Sequence, residues 1–228
     1  MRPPRFDESL DFGDGGAFSL WRSVGWASSP ASPIGRFGGV LTPGQRRELA
    51  SAADGAAADG SRSWPIRPDS PVDRLWVVGG EATLGIHDQP EGPWGALALT
   101  LRALLHDLTA SPVAALALEA ADGPHLVHLG PQELPLDLTA LTVEAVHWRA
   151  GDSLGQWKSD LHEDVAGGSP VRAGTGWRLA LPFSHGFALQ PGDRVSTRVG
   201  VGVGDGDRWV RAALFDAGEE AGTGVDDS

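Results

Sequence analysis

The chain has 228 residues, of which 41% are hydrophobic, enough to bury a core and to exclude wholesale disorder. Its formal net charge of −12 argues against nucleic-acid binding, because a phosphate-binding face needs an excess of basic residues. The absence of cysteine excludes disulfides, thiolate zinc sites and cysteine nucleophiles.

No segment of the chain has the properties of a targeting or membrane sequence. The first residues are basic but lack the apolar core of a secretory signal. The most apolar stretch, 94–121, is interrupted by charged residues and does not span a membrane. We therefore expect a cytoplasmic protein that makes no membrane contact.

The N-terminal half is predicted to contain a strand, a helix, two strands and a second helix. The first helix has the clearest signal, with Thr42 as N-cap, Pro43 at the first helical position and Gln45 completing a capping box. The other elements are, in chain order, a strand within 12–26, a loop over 28–39, strands over 72–78 and 82–87 joined through Gly79-Gly80, and a helix from Pro93 that ends before Ser111.

The second half reads as short strands separated by Gly, Pro and Asp. Along 195–203, valine or threonine alternates with serine, arginine or glycine, the period of two expected of a half-buried strand. The turn residues 204–207 predict that this strand pairs with 208–215 as a hairpin. The further strand candidates are 113–120, 126–129, 141–148 and 176–183.

These patterns predict an α+β fold. A small strand-helix-strand-strand-helix domain occupies 1–110, and an antiparallel β-sandwich or barrel occupies 111–216. The remaining residues, 217–228, carry four acidic side chains and no basic one, and are expected to form an acidic disordered tail.

The glycine-rich run 200–206 does not predict a nucleotide cofactor. A dinucleotide fingerprint needs a strand before it and a helix after it, and here a strand follows. The glycines at 200, 202 and 204 fall on one face of the strand, where they let another part of the chain approach closely. We expect no cofactor.

Seven histidines are dispersed along the chain without the spacing of a metal motif, so no metal site is predicted. One enzymatic alternative remains open, a metal-dependent hydrolase that uses His162, Glu163 and His185. A second alternative is a carbohydrate-binding β-sandwich in which an exposed Trp157 stacks on sugar. No catalytic signature is present, and the sequence favours a non-enzymatic protein.

Residues 18–108 resemble the emfourin family of protein inhibitors of thermolysin-type metalloproteases. The likeness lies in the pair Gly38-Gly39, the helix LTPGQRRELASAAD, the strand pair DRLWVVGG and ATLGIHD, and the closing helix PWGALALTLRALLHDL. The order of the elements is also similar. The resemblance implies that the partner is a metalloprotease.

The leading hypothesis is therefore a protein-binding module, with a metalloprotease as the partner that the resemblance implies. A loop around Ile34, Arg36 and Phe37 is the predicted contact region, because apolar and arginine side chains on exposed loops are good anchors.

Overall fold

The computed structural model describes residues 8–26, 32–64, 72–85, 91–119, 125–150, 152–160, 171–173, 176–181, 187–188, 190–205 and 208–216. This part of the chain is mostly β, with two α-helices and several antiparallel sheets, as the α+β prediction expects. Neither of its helices is long and apolar enough to cross a membrane.

The elements follow the predicted order in outline. Two α-helices interrupt a series of strands, and all the later elements are strands. The bounds are β1 Glu8–Phe12, β2 Ala17–Arg22, β3 Val24–Trp26, β4 Ile34–Val40, α1 Pro43–Asp59, β5 Arg62–Ser63, β6 Val72–Val77, β7 Gly80–Gly85, α2 Gly92–Leu108, β8 Pro112–Glu119, β9 His125–Leu129, β10 Leu136–Arg149, β11 Asp152–Asp160, β12 Val171–Ala173, β13 Gly176–Ala180, β14 Asp193–Asp205 and β15 Arg208–Asp216.

The chain divides into two compact units. The α+β unit comprises residues 10–20 and 38–111, and the β unit comprises the described parts of 1–9, 21–37 and 112–228. The contiguous domain 1–110 of the sequence analysis differs from this division over residues 1–9 and 21–37. The stretch 21–37, which contains β3 and the first part of β4, groups with the later strands because β3 pairs with β15 and β4 pairs with β8. The tail 217–228 lies outside the described residues.

Helix α1 begins as its sequence predicts. The Thr42 hydroxyl accepts a hydrogen bond from the Gln45 backbone N–H at 3.2 Å, and the Thr42 N–H donates to the Gln45 side chain at 3.0 Å. This reciprocal pair satisfies two backbone donors at a helix start, where no intrahelical partner exists. The predicted capping box is confirmed.

The core of the α+β unit lies between the two helices and one face of a three-stranded sheet. Strands β6 and β7 pair antiparallel, and the short β5 pairs parallel with β7. The largest side chain in this core is Trp94, which is fully buried. The remaining buried members come from α1, β7 and α2: Ala56, Ala82, Leu84, Leu97 and Ala98.

Two sheets make up the β unit. Strands β4, β8, β9, β13 and β12 follow one another in the first, and the second has the order β11-β10-β14-β15-β3. The predicted hairpin of β14 and β15 is confirmed, with Asp205 opposite Arg208. Side chains of both sheets share one core, whose buried members are Trp21, Ile34, Ala114, Leu116, Leu118, Leu126, Leu134, Leu141, Val143, Leu179, Leu181, Val199, Val201, Val203, Ala212 and Leu214.

Three details of the predicted fold are wrong. The loop expected over 28–39 contains strand β4, in which Gly35 adopts φ +121° and passes so close to β8 that a Cβ would lie 2.4 Å from the Ala114 carbonyl oxygen. No strand is predicted between 148 and 176, where the structure has β11, which is held by backbone pairing to β10 rather than by apolar content. The sheets are not purely antiparallel, because β3 joins β15 in parallel.

The glycines of β14 let a neighbouring segment approach closely, as predicted. A Cβ at Gly200 would lie 2.6 Å from the Thr142 hydroxyl oxygen, and one at Gly204 would lie 2.9 Å from the Pro135 Cβ. Between these positions the pairing of β10 with β14 shifts register from Asp137 to Thr142. A side chain on this face of β14 would therefore displace its neighbour.

Replacing Gly202 by alanine is expected to destabilise the β unit, because the new Cβ would lie 2.8 Å from the Asp137 Cβ. Overpacking of this kind costs about 1–3 kcal/mol. Urea unfolding of Gly202→Ala measures the loss. Gly13→Ala is the control, since its Cβ would meet only the Ala17 Cβ at 3.8 Å. Equal stability of the two variants would contradict the close approach.

Candidate functional site

Strand β6 has one buried and one exposed side. Leu75 and Val77 are half-buried and pack against the core of the α+β unit, whereas Arg74 and Trp76 are exposed. The Trp76 side chain keeps 67% of its surface accessible, and the following turn residue Val78 keeps 97%. A tryptophan buries roughly 150–250 Å² when it packs, so this face offers a large apolar area for contact.

The outer edge of β6 is unpaired within the part of the chain that the structure describes. In the three-stranded sheet the order is β5-β7-β6, so β7 is flanked on both sides. Among the described residues, no strand pairs with the other edge of β6. An edge of this kind presents backbone N–H and C=O groups that recruit a further strand. We call Arg74, Trp76, Val78 and this free edge the β6 surface.

The strand pair that carries the β6 surface contacts Trp94 of α2 and the residues that follow α1. The Trp94 indole N–H donates to the Gly60 carbonyl oxygen at 2.8 Å, and the Glu81 backbone N–H donates to the Ser61 hydroxyl at 3.2 Å. Gly80 has no room for a side chain, since a Cβ there would lie 3.2 Å from both the Trp94 ring and Gly60. Close packing thus holds the strands that carry the β6 surface in place.

Arg74 differs from the arginine at the opposite edge of the same sheet. The Arg62 guanidinium donates two hydrogen bonds to Asp59, each of 2.9 Å. Within the described part of the chain, the Arg74 guanidinium has neither a hydrogen bond nor an ion pair. A guanidinium beside an exposed indole and a strand edge that no described strand covers is suited to binding an extended polypeptide.

The three residues predicted to contact a partner do not lie in an exposed loop. Ile34 and Phe37 are buried in β4, at 0% and 2% exposure. Arg36 is half-buried, and its buried Nε has no hydrogen-bond partner among the described residues. The exposed-loop expectation is wrong because apolar residues at 34 and 37 belong to a strand that pairs with β8.

Most of the residues predicted for the two alternative functions lie outside the part of the chain that the structure describes. His162, Glu163 and His185 are not among the described residues. Within the described ranges, no group of three or more His, Asp or Glu side chains is placed to hold a metal ion. The metal-dependent hydrolase therefore stays a prediction.

The carbohydrate-binding alternative rested on Trp157. This residue lies in β11 opposite Ala145, and its side chain is outside the description. Another tryptophan of the β unit, Trp177, packs against the core and stacks on His128, with ring centroids 5.5 Å apart.

A buried ionic cluster lies where β10 ends and β14 begins. Asp193 is fully buried, and its carboxylate accepts from Arg149 Nε at 2.5 Å and Nη2 at 2.8 Å. It also accepts from the Gln190 backbone N–H at 2.9 Å, and His147 Nε2 lies 2.7 Å from it. The ring of Phe187 packs on His147 at 5.3 Å between centroids.

The cluster is suited to a structural role. Hydrogen bonding from Arg149 is the largest influence that holds the pKa of Asp193 well below its usual range, with further bonds from Gln190 and His147 acting in the same direction. The carboxylate is thus ionised at neutral pH. It contacts four donor groups, three of them through Oδ2, and its complete burial keeps a substrate from reaching it. It joins the turn 190–193 to the end of β10.

The buried His128 has an unusual environment. Its side chain is 5% exposed, and among the described residues neither ring nitrogen has a partner at full hydrogen-bond geometry, although the Gln132 backbone lies close enough to act on the ring. Burial is the main cause that lowers the pKa of His128. This environment suits a neutral imidazole, and we interpret His128 as a side chain that packs on Trp177.

Comparison with known proteins gives no relative. No family model, no curated protein and no solved structure matches the chain.

Sequence reasoning missed Trp76, although a signal was present. The strand over 72–78 was predicted, and alternation places residues 74 and 76 opposite to 75 and 77. The apolar residues at helical spacing in the flanking helices need a sheet face to pack against, and this need indicates that one side of the strand is buried.

Asp193→Asn is expected to lower thermal stability at neutral pH, because the neutral amide loses the charge that Arg149 and His147 bind. A carboxylate with a lowered folded-state pKa stabilises above the ordinary carboxyl pKa, and this contribution is lost as the pH falls through its folded value. The difference in melting temperature between wild type and variant should therefore shrink below about pH 4.

The control for this experiment is Asp54→Asn on the exposed side of α1. It should melt like the wild type throughout. A difference for Asp193→Asn that does not change between neutral and acidic pH would contradict the assignment of the effect to the charge.

Proposed function

We propose that this chain is a non-enzymatic protein-binding module that binds its partner through the β6 surface. The observation that carries the proposal is the 67% exposure of Trp76 on an edge strand whose other face is packed against two helices. Aromatic and arginine side chains supply most of the free energy of protein interfaces, and Trp76 lies two residues from Arg74 on the same face.

The physical reason for a polypeptide partner is the combination of groups. The open edge of β6 supplies backbone donors and acceptors in the spacing of a strand. The Trp76 ring supplies apolar area, and the Arg74 guanidinium supplies a cation that has no partner among the residues the structure describes. A small ligand would need a concave pocket, whereas these groups lie along an extended line.

The resemblance to emfourin proteins makes a thermolysin-type metalloprotease the first partner to test. On this hypothesis the chain occupies the protease as an inhibitor and performs no chemistry of its own. The β unit, whose two sheets share one core, is proposed to be the β-sandwich of the sequence analysis.

The decisive experiment is inhibition of a thermolysin-type protease by the full chain. We expect the wild type to inhibit, and Trp76→Ala to raise the inhibition constant by roughly 30-fold or more, which corresponds to an interface residue worth about 2 kcal/mol. Hydrolysis of a chromogenic peptide substrate gives the measurement.

The matched control is Leu154→Ala, which removes a side chain that is 51% exposed on β11, far along the chain from β6. Its inhibition constant should equal that of the wild type. Failure of the wild type to inhibit would contradict the protease as partner. Equal inhibition by Trp76→Ala would contradict the β6 surface.

A further inference from the structure

The outward residues of β6 are complementary to themselves. Arg74 and Trp76 flank Leu75, so a cation and an aromatic ring lie at equal distances on either side of it. When two copies of β6 are placed antiparallel with Leu75 opposite Leu75, Arg74 of each copy faces Trp76 of the other. The twofold symmetry of such a pair produces this contact twice.

We propose that the free edge of β6 pairs with β6 of a second copy of this chain. The two three-stranded sheets then form one six-stranded sheet with the order β5-β7-β6-β6-β7-β5. This inference rests on the proposed function in that it names an occupant for the β6 surface. A foreign partner must then displace the second copy.

The cross-strand contacts favour this register. Side chains directly opposite in an antiparallel pair have Cβ atoms about 4.5–5.5 Å apart, within reach of a guanidinium and an indole. A cation over an indole face is attracted by the ring quadrupole. A one-residue slip would place the outward side chains of one copy opposite the inward ones of the other. The helices of the two copies would then lie on opposite faces, and the contacts between Arg74 and Trp76 would be lost.

The inner face of the sheet would also be continuous. Leu75 lies opposite Ala82 in β7 and is half-buried, so part of its side chain remains accessible in one copy. In the pair it contacts the same residue of the second copy. The apolar row on the helix side then runs from Ala82 through both Leu75 side chains to the second Ala82.

Charge distinguishes a second copy from an acidic foreign partner. Each chain has a net charge of −12, so two copies repel one another at long range. Salt screens this repulsion, and self-association should strengthen as ionic strength rises. An acidic peptide bound to Arg74 would show the opposite dependence.

The test is the sedimentation mass of the full chain across a dilution series. We expect the wild type to reach twice the 23.8 kDa of one chain, and Trp76→Ala and Arg74→Glu to remain at the single mass. Leu154→Ala should behave like the wild type. A wild type that stays at the single mass, or a Trp76→Ala variant that still doubles it, would overturn the proposal.

The double exchange Arg74→Trp, Trp76→Arg tests the register. In the symmetric pair each new tryptophan again faces an arginine of the other copy, so the doubled mass is expected to return. A protease that reads the original order of these residues should bind the double variant poorly. Loss of the doubled mass in the exchanged variant would overturn the register.

Cysteine substitution gives a second measure, because the chain has no cysteine of its own. Leu75→Cys places the thiol opposite its own copy, and mild oxidation should form a covalent dimer. Val77→Cys lies on the same face, but its copy is four residues, or ~13 Å, out of register. This exceeds the reach of a disulfide. Cross-linking of both variants alike would argue against the pairing.

The two proposals fail in different ways. A single-mass wild type that inhibits the protease leaves the proposed function and removes the inference. A doubled mass that depends on Trp76, without inhibition of any thermolysin-type protease, leaves the pairing and removes the protease as partner.

Discussion

In the part of the chain that the structure describes, helices cover one face of the three-stranded sheet and leave Arg74 and Trp76 exposed on the other. The candidate site depends on this asymmetry. The burial of Leu84, Ala82 and Trp94 shows which face of the sheet is shielded from solvent. Because strand side chains alternate, the side chains of residues 74 and 76 must lie on the opposite face. Exposure of an aromatic ring to water in that position is unfavourable, and the free energy falls when another surface covers the ring.

The sequence predicted the elements that depend on local chemistry. The capping box at Thr42, the paired β6 and β7 and the hairpin of β14 with β15 all follow from residue types at short spacing. Strands β4 and β11 were missed because their glycine, serine and aspartate content is typical of loops. They form strands through pairing with β8 and β10, partners more than 70 residues away for β4 and immediately adjacent for β11.

The candidate site was predictable in part. Alternation along 72–78 was enough to place Trp76 opposite Leu75, but exposure depends on which face the helices cover. Ile34 and Phe37 show the converse error, since apolar residues flanked by proline and glycine were read as a loop. The Asp193 cluster was beyond sequence reasoning, because its arginine and histidine lie 44 and 46 positions away in the chain.

The alternate glycines of β14 have a consequence for recognising relatives of this chain. The valine face of that strand tolerates exchange among apolar side chains of similar volume, whereas the glycine face has no space for even a methyl group. The sequence of such a strand can therefore change at the positions of its valine face but not at those of its glycine face. In a relative that keeps the same approach of residues 135–142, three glycines spaced by two would persist after the surrounding apolar residues had changed beyond recognition.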